Sequence, residues 1–252
     1  MIHEASNHDV VCMYLRYGLY DSPIPASFLR SAPSIIAHTR VPTAAFSPQA
    51  ICTYGLEDCL IIILTSEIGR GATGVAHRGT LMPEIWHNVI PLDVVVKLAF
   101  DIKQRKALRS EYDVYRHLRL KGVNQGVTTA LGFFDDSEDG ACALVMLYAG
   151  VPFPTDWQGS LSISDWYAFF LQTCQLIILV IEISNAALSA LESIHCAGIL
   201  HGDIRPDNIL ISDSGITIID FGDSRKCDNK RAKDEELTQL RDLLGLAGLS
   251  QY

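Results

Sequence analysis

The sequence predicts an α+β chain in two parts, a β-rich first part carrying one helix and a second part of helix and hairpin. Three observations predict it. Short β-branched and apolar runs crowd the stretch from Leu60 to Tyr148. Within that stretch, Ile102 to Leu120 has helical spacing instead. Gly150, Pro152 and Pro154 then break the pattern and mark the best domain boundary in the chain.

Composition sets the frame for those elements. The chain has 252 residues, enough for one large domain or two small ones. Apolar residues make up 48% and charged residues 19%, which excludes a disordered or low-complexity chain. The 20 Lys plus Arg against 29 Asp plus Glu leave a net charge of −9, and no basic block occurs. Such a chain is a poor partner for nucleic acid. The seven cysteines are odd in number and form no C-x-x-C, so a disulfide framework or zinc site is disfavoured. A reducing cytosol or nucleus is the expected setting. No secretory signal opens the chain, and the apolar stretches Cys59–Thr65 and Leu176–Ile183 are too short to span a bilayer. A soluble protein away from membranes is expected.

Residues 1–50 hold five of the chain's ten prolines and no sustained period, so an irregular extension is expected there. The run Ile61-Ile62-Ile63-Leu64 reads as a strand leading to Gly69-Arg70-Gly71-Ala72-Thr73-Gly74. Val94 to Phe100 is a second strand, with Lys97 inside it. Leu108, Tyr115 and Leu118 share one face of the helix 102–120, and Glu111 lies on that face. A carboxylate on the buried side of a helix needs a partner, and an ammonium inside an apolar strand needs one too. Lys97 and Glu111 could satisfy each other, although on these two residues alone a snorkelling Lys and an exposed Glu are the simpler reading. Gly126–Phe134 and Cys142–Tyr148 read as two more strands.

Beyond the boundary, Ser164 or Asp165 could cap a helix running towards Gly198. Its middle, Gln175 to Ile181, is β-branched and apolar all round, which suggests an inserted segment between Gln172 and Asn185 or an error in the gene model. The most informative stretch follows: His201-Gly202-Asp203-Ile204-Arg205-Pro206-Asp207-Asn208, a short apolar run, a turn at Ser212–Gly215, a second run and Asp220-Phe221-Gly222. Two apolar runs about a turn make a β-hairpin. If Ile211 faces Ile216, then Ile209 faces Ile218, and Asn208 and Asp220 emerge together at its open end. An amide oxygen and a carboxylate there are hard ligands that suit Mg²⁺. Asp203, on the loop entering the same end, is placed to orient or deprotonate a hydroxyl. Finally, Leu237, Leu240, Leu243 and Leu244 form an apolar stripe on a helix between Ala232 and Leu249.

Each motif alone has an ordinary explanation as a turn or a cap. Their order does not: glycine loop, strand lysine, helix glutamate, break, His-x-Asp-x-x-x-x-Asn, hairpin and Asp-Phe-Gly. This order resembles the eukaryotic protein-kinase-like superfamily over residues 60–225. The resemblance implies a two-lobed protein-kinase-like α+β fold, with a five-stranded N-lobe sheet and a mostly helical, truncated C-lobe. It divides the chain into an N-terminal extension (1–50), an N-lobe (51–149) and a shortened C-lobe (150–252).

By the same resemblance, Gly69, Gly71 and Gly74 close a hairpin over the phosphates of ATP. Ala76 stands where a Val usually packs on adenine. Lys97 holds the phosphates and is positioned by Glu111. Met146 to Tyr148 form the hinge that hydrogen-bonds adenine. Asp203 orients the substrate hydroxyl, Arg205 touches the transferring phosphate, and Asn208 and Asp220 hold Mg²⁺. Three departures accompany these matches. Gly202 replaces the Arg of His-Arg-Asp, no Ala-Pro-Glu follows Asp220-Phe221-Gly222, and 30 residues remain after Gly222. His-Gly-Asp also resembles small-molecule phosphotransferases of the aminoglycoside and choline kinase type, compact atypical kinases of the Bud-thirty-two and Rio type, and small kinase-like proteins of fungi.

The leading expectation is ATP- and Mg²⁺-dependent phosphoryl transfer to Ser or Thr of a protein substrate. The alternatives are a small-molecule phosphotransferase and a nucleotide-binding pseudokinase or scaffold. An obligate protein partner covering the shortened C-lobe is part of the last reading.

Overall fold

Alternation of apolar and polar residues builds the first part of the molecule. The computed structural model describes residues 12–17, 26–30, 59–82, 91–136, 140–153 and 182–244, and divides the chain into two units. The first comprises Met1–Arg116 with Thr129–Tyr148, the second His117–Thr128 with Ala149–Tyr252.

Seven strands of the first unit close into a barrel: β1 (Cys12–Tyr17), β2 (Ala26–Arg30), β3 (Cys59–Gly71), β4 (Gly74–Met82), β5 (Leu92–Ala99), β6 (Ala130–Asp135) and β7 (Cys142–Leu147). Their order around it is β1-β2-β6-β7-β5-β4-β3. The five strands β6-β7-β5-β4-β3 are antiparallel throughout and are the expected five-stranded sheet. The departure lies in residues 1–50, where two strands replace the expected irregular chain. β1 runs parallel to β3 and antiparallel to β2, and β2 reaches β6 through Leu29 and Arg30. Met13 and Leu15, two positions apart, are fully buried with the barrel core. The prolines hid these strands from the pattern, yet Pro23 and Pro25 fall between β1 and β2 rather than inside them.

The barrel has a clear inside and outside. Val94, Val96 and Leu98 of β5 point inward to Ile62, Leu64, Phe134, Ala143 and Val145. The intervening residues Val95 and Lys97 point outward, as the period of two requires. Helix α1 (Ile102–Leu120) has the predicted span. Tyr112 of α1 meets Phe133 of β6 with ring centroids 5.5 Å apart, so its apolar side covers the outer face of the sheet. Asp101 caps it, its Oδ1 accepting from the N–H groups of Lys103 and Gln104. A Schellman turn at Gly122 ends it, with Val123 N–H donating to Leu118 O and Gly122 N–H to Arg119 O.

The second unit carries helix α2, described over 182–196, and helix α3 (Lys230–Leu243). The proposed insertion between 172 and 185 lies outside the described residues except for its last positions, which are helical. The unit's strands are β9 (Ile199–Leu200) paired with β12 (Arg225–Lys226), and β10 (Ile209–Ser212) between β11 (Gly215–Ile218) and β8 (Val151–Pro152). The β10–β11 register is the expected one, Ile211 facing Ile216 and Ile209 facing Ile218. Gly126 to Thr129, expected to open a strand, stay out of β6. Val127 bridges to Ile218 in parallel instead, and Ile218 N–H donates to Gly126 O. Ala187, Leu191 and Ile194 of α2, Ile204, Phe221 and Leu240 form part of the buried apolar set of this unit. Among the described residues no helix is long and apolar enough to cross a membrane.

Candidate active site

In the first unit, the glycine cluster is the tip of the β3–β4 hairpin, with Gly71 paired to Gly74 and Gly69 to Ala76. The three glycines are not equivalent. Gly74 has φ +125°, and a Cβ there would stand 2.0 Å from Leu98 O, so only glycine fits. Gly69 and Gly71 meet nothing within 4 Å and face open space, which leaves backbone accessible to a bulky ligand.

Ala76 is the cross-strand partner of Lys97, and Met146 is that of Val95. Ala76, Lys97 and Met146 therefore share the outward face of the sheet. Lys97 Nζ lies 2.7 Å from Glu111 Oε1, with the lysine side chain 12% exposed and the glutamate fully buried. The two groups that each needed a partner are thus paired, and neither the snorkelling lysine nor the exposed glutamate is observed. A buried pair of this kind is retained only when each charge compensates the other. At the end of β7, Tyr148 lies under the Arg78 guanidinium, 4.1 Å from ring centroid to Cζ. Leu147 N–H donates to Thr129 O and Tyr148 N–H to Asp93 O. Both N–H groups are thus bonded to backbone oxygens of the same unit.

In the second unit, the loop His201 to Asn208 is held from several sides. Asn208 is buried, and its Nδ2 donates to both Asp203 O and Asp203 Oδ2 at 2.9 Å. Both amide hydrogens are used, and Oδ1 is left as the amide's acceptor. Ile219 N–H donates to Asn208 O, which brings Asp220 to the open end of the hairpin beside Asn208. Asp220 has φ 67° and ψ 73°, a left-handed conformation unusual for a residue with a Cβ. Such strain collects at functional sites. Arg205 Nε is 3.4 Å from Asp203 Oδ2 and 3.9 Å from Asp207 Oδ2, with all three side chains at least partly exposed.

His201 is fully buried against the Phe221 ring. Its Nε2–H donates to Ile219 O and its Nδ1 accepts from Asp203 N–H, an assignment made from the partners. That pattern requires a neutral ring. Burial holds the His201 pKa below its ordinary 6.5, against the opposing pull of the Ile219 carbonyl and the nearby carboxylates. Gly202 explains its own presence. It has φ +87°, and a Cβ would stand 2.5 Å from Asp223 O. An arginine at this position has no room.

The residue that sequence reasoning missed is Glu236 on α3. It is buried and accepts from His195 Nε2 at 2.7 Å, His201 N–H at 3.1 Å and Gly202 N–H at 2.7 Å. Burial pushes its pKa up, but the hydrogen bonds from His195, Gly202 and His201 more than offset this and hold it below 4.5. Gln239, one turn further, donates to Ile204 O. The only signal in the sequence was a carboxylate four residues before Leu240, on the face of the leucine stripe.

The residues present fit a divalent cation. Among the described residues no cluster of three or more His, Cys, Asp or Glu could hold a metal by itself. Mg²⁺ does not require one, because it commonly takes one or two protein oxygens and completes its shell with phosphates and water. Asn208 Oδ1 and the Asp220 carboxylate, at the same end of the hairpin, are the oxygens that would make up such a pair.

A model of the protein kinase domain matches residues 63–240, most of the chain. The chain belongs to the protein kinase domain family. Its curated relatives agree. The kinase domain is 25% identical to casein kinase I homolog 1 of Saccharomyces cerevisiae over 194 residues, 74% of this chain and 31% of that protein. It is 38% identical to the probable serine/threonine-protein kinase PknB of Bifidobacterium longum over 72 residues, 28% of this chain and 10% of that protein. A PknB of Lactococcus lactis is 38% identical over 66 residues. The chain thus spans between about a tenth and a third of the length of these relatives.

Proposed function

We propose that this kinase domain transfers the γ-phosphoryl group of ATP to a Ser or Thr hydroxyl of a protein. The observation that carries the proposal is the loop His201–Asn208. Its Asp203 carboxylate is fixed by the Asn208 amide and remains partly exposed. A carboxylate held in place and open to solvent can accept or orient the proton of an incoming hydroxyl. Lys97, held by Glu111, is the candidate cation for the phosphates, and the open backbone at Gly69 and Gly71 is the candidate cover. Arg205 is exposed enough to swing from Asp203 to a phosphoryl oxygen. Mg²⁺ at Asn208 and Asp220 would neutralise phosphate charge. With little covalent chemistry for the protein to do, the chain's residues act by positioning and charge.

The names of the matched relatives favour a protein acceptor over a small molecule. The resemblance of His201-Gly202-Asp203 to compact atypical kinases belongs to this proposal too, and is supported by the lack of room for arginine at Gly202. The test is phosphate incorporation into dephosphorylated casein, and into the chain itself, with Mg·ATP. Wild type is expected to incorporate label, and Asp203→Ala to lose it while keeping the thermal shift that Mg·ATP produces. Asp220→Ala is expected to lose the shift as well. Equal incorporation by Asp203→Ala would overturn the assignment.

A further inference from the structure

Arg78, Asp93 and Tyr148 of the first unit make a contact outside the glycine hairpin and the Lys97–Glu111 pair. The Arg78 guanidinium lies over the Tyr148 ring, its Cζ 4.1 Å from the centroid, and Nη2 donates to Asp93 Oδ2. Tyr148 N–H donates to Asp93 O. The residue that follows β7 is thus tied to β5 by its backbone and to β4 by its ring. Stability is a weak reason for the ion pair, because its side chains are 40% and 50% exposed and exposed pairs contribute little.

The register places this contact on the face that carries Lys97. Side chains alternate along a strand. Ala76 and Arg78 of β4 therefore share the outward face with Asp93, Val95 and Lys97 of β5. Met146 of β7 is the partner of Val95 and lies on the same face. Two residues along a strand span about 7 Å. With phosphates between the glycine hairpin and Lys97, the rest of a nucleotide has sheet beside it only in the direction away from the hairpin tip. β4 runs that way, from Gly74 at the tip to Ala76 and then Arg78. The first step meets the apolar side chains of Ala76, Val95 and Met146. The second meets Arg78 and Tyr148. A flat base on an apolar floor is held in place by an end wall, and a planar guanidinium stacked on a ring makes a rigid one.

We propose that Arg78 is a positioning residue for the nucleotide base: stacked on Tyr148 and paired with Asp93, it fixes the end wall of the face formed by Ala76, Val95 and Met146. The inference rests on the phosphotransfer reading and concerns how the same site grips ATP. Arg78 acts through Tyr148 on nucleotide binding rather than on the transferring phosphoryl group.

The test is the affinity for mant-ATP with Mg²⁺, read by fluorescence, together with KM and kcat for ATP in casein labelling. Arg78→Met is expected to weaken mant-ATP by about tenfold and to raise KM by a similar factor, with kcat falling by less than about twofold. Tyr148→Leu is expected to do the same, and the two together to cost no more than either alone, because each removes one shared contact. Arg78→Lys keeps the charge without the planar face. It is expected to cost about threefold and keeps the test sound if Arg78→Met fails to fold. Arg231→Met breaks the exposed pair with Glu235 on α3 and is expected to alter neither constant, which controls for loss of an ion pair as such. Wild-type mant-ATP affinity in a folded Arg78→Met protein, whatever its Tm, would make the contact merely structural and overturn the proposal. A fall in kcat at unchanged KM, or additive losses in the double variant, would overturn it as well. A wild type that binds no mant-ATP would instead overturn the photransfer-competent site as a whole, and this proposal with it.

Discussion

Each unit of this kinase domain is organised around one buried glutamate, and the two glutamates are held in different ways. Glu111 is paired with the side-chain ammonium of Lys97 on the neighbouring strand. Glu236 faces the imidazole of His195 and two backbone N–H groups of the loop that carries Asp203. The first interaction orients a side chain. The second fixes the path of a backbone, and through it the place of a carboxylate that Glu236 never touches. A pair of side chains can be broken and restored by substitution on both sides. A side chain that holds backbone cannot, because the backbone groups remain whatever replaces it.

The largest expected effect follows from that contrast. Glu236→Ala leaves the His201 and Gly202 N–H groups and the buried His195 without their acceptor. Each buried unsatisfied group costs about 1–3 kcal/mol. A loss of about 3–5 kcal/mol is expected, read as a fall in Tm of roughly 10 °C. Glu236→Gln keeps one acceptor oxygen and is expected to lose less. A Glu236→Ala protein as stable as wild type would mean that the loop holds its own shape.

Next comes the paired charge. Lys97→Met leaves Glu111 buried without its ammonium, which for a buried pair costs about 3 kcal/mol. Lys97→Met with Glu111→Leu is expected to recover most of it, because both charges are then gone. Denaturant unfolding of the four proteins in that cycle gives the coupling directly. If the double variant is no more stable than Lys97→Met alone, the pair does not behave as a separable unit, and the contrast with Glu236 fails.

The same contrast governs what could be read from sequence. Lys97 and Glu111 are charges in apolar patterns, and a pattern that one residue violates is visible. The hairpin register was legible because Ile209, Ile211, Ile216 and Ile218 alternate about a short turn, and register then placed Asn208 beside Asp220. Glu236 was not legible. Its partners are two N–H groups that every sequence possesses, so nothing in residue type announces them. β1 and β2 were missed for a different reason. Each is short, β1 pairs in parallel with a strand more than 40 positions later, and neighbouring prolines outweighed the alternation of Met13 and Leu15.

Gly202 tests the backbone side of the comparison more gently. Gly202→Ala adds one methyl group 2.5 Å from Asp223 O at a φ that alanine resists. Strain of this kind costs about 1–3 kcal/mol. Stability is expected to fall by that amount, and phosphate incorporation to fall further than stability alone accounts for, because Gly202 N–H would shift from Glu236. Casein labelling at a temperature where the variant is fully folded separates the two. Full activity in a folded Gly202→Ala protein would show that the Glu236 contact is not what positions Asp203.

The smallest effect is in the dependence of stability on pH, and it again distinguishes the units. His77 in the first unit points into the barrel opposite Val96, and its Nδ1 has no hydrogen-bond partner among the described residues. Burial holds its pKa below 6.5, with Glu67 across the strand opposing and Arg70 assisting. His201 in the second unit is lowered by burial as well. For both, the unfolded chain takes up the proton first as pH falls through 6.5, so unfolding binds protons and stability declines from there down to each folded pKa. Glu236 behaves as a lowered carboxylate: its contribution is complete above about 4.5 and is lost as pH falls through its folded pKa. Stability measured by denaturant from pH 8 downwards is therefore expected to fall in two stages, the histidines before the glutamate. His77→Leu should remove part of the first stage and leave the second unchanged. A His77→Leu protein whose stability declines between pH 6.5 and 5 as steeply as wild type would assign the whole first stage to other groups.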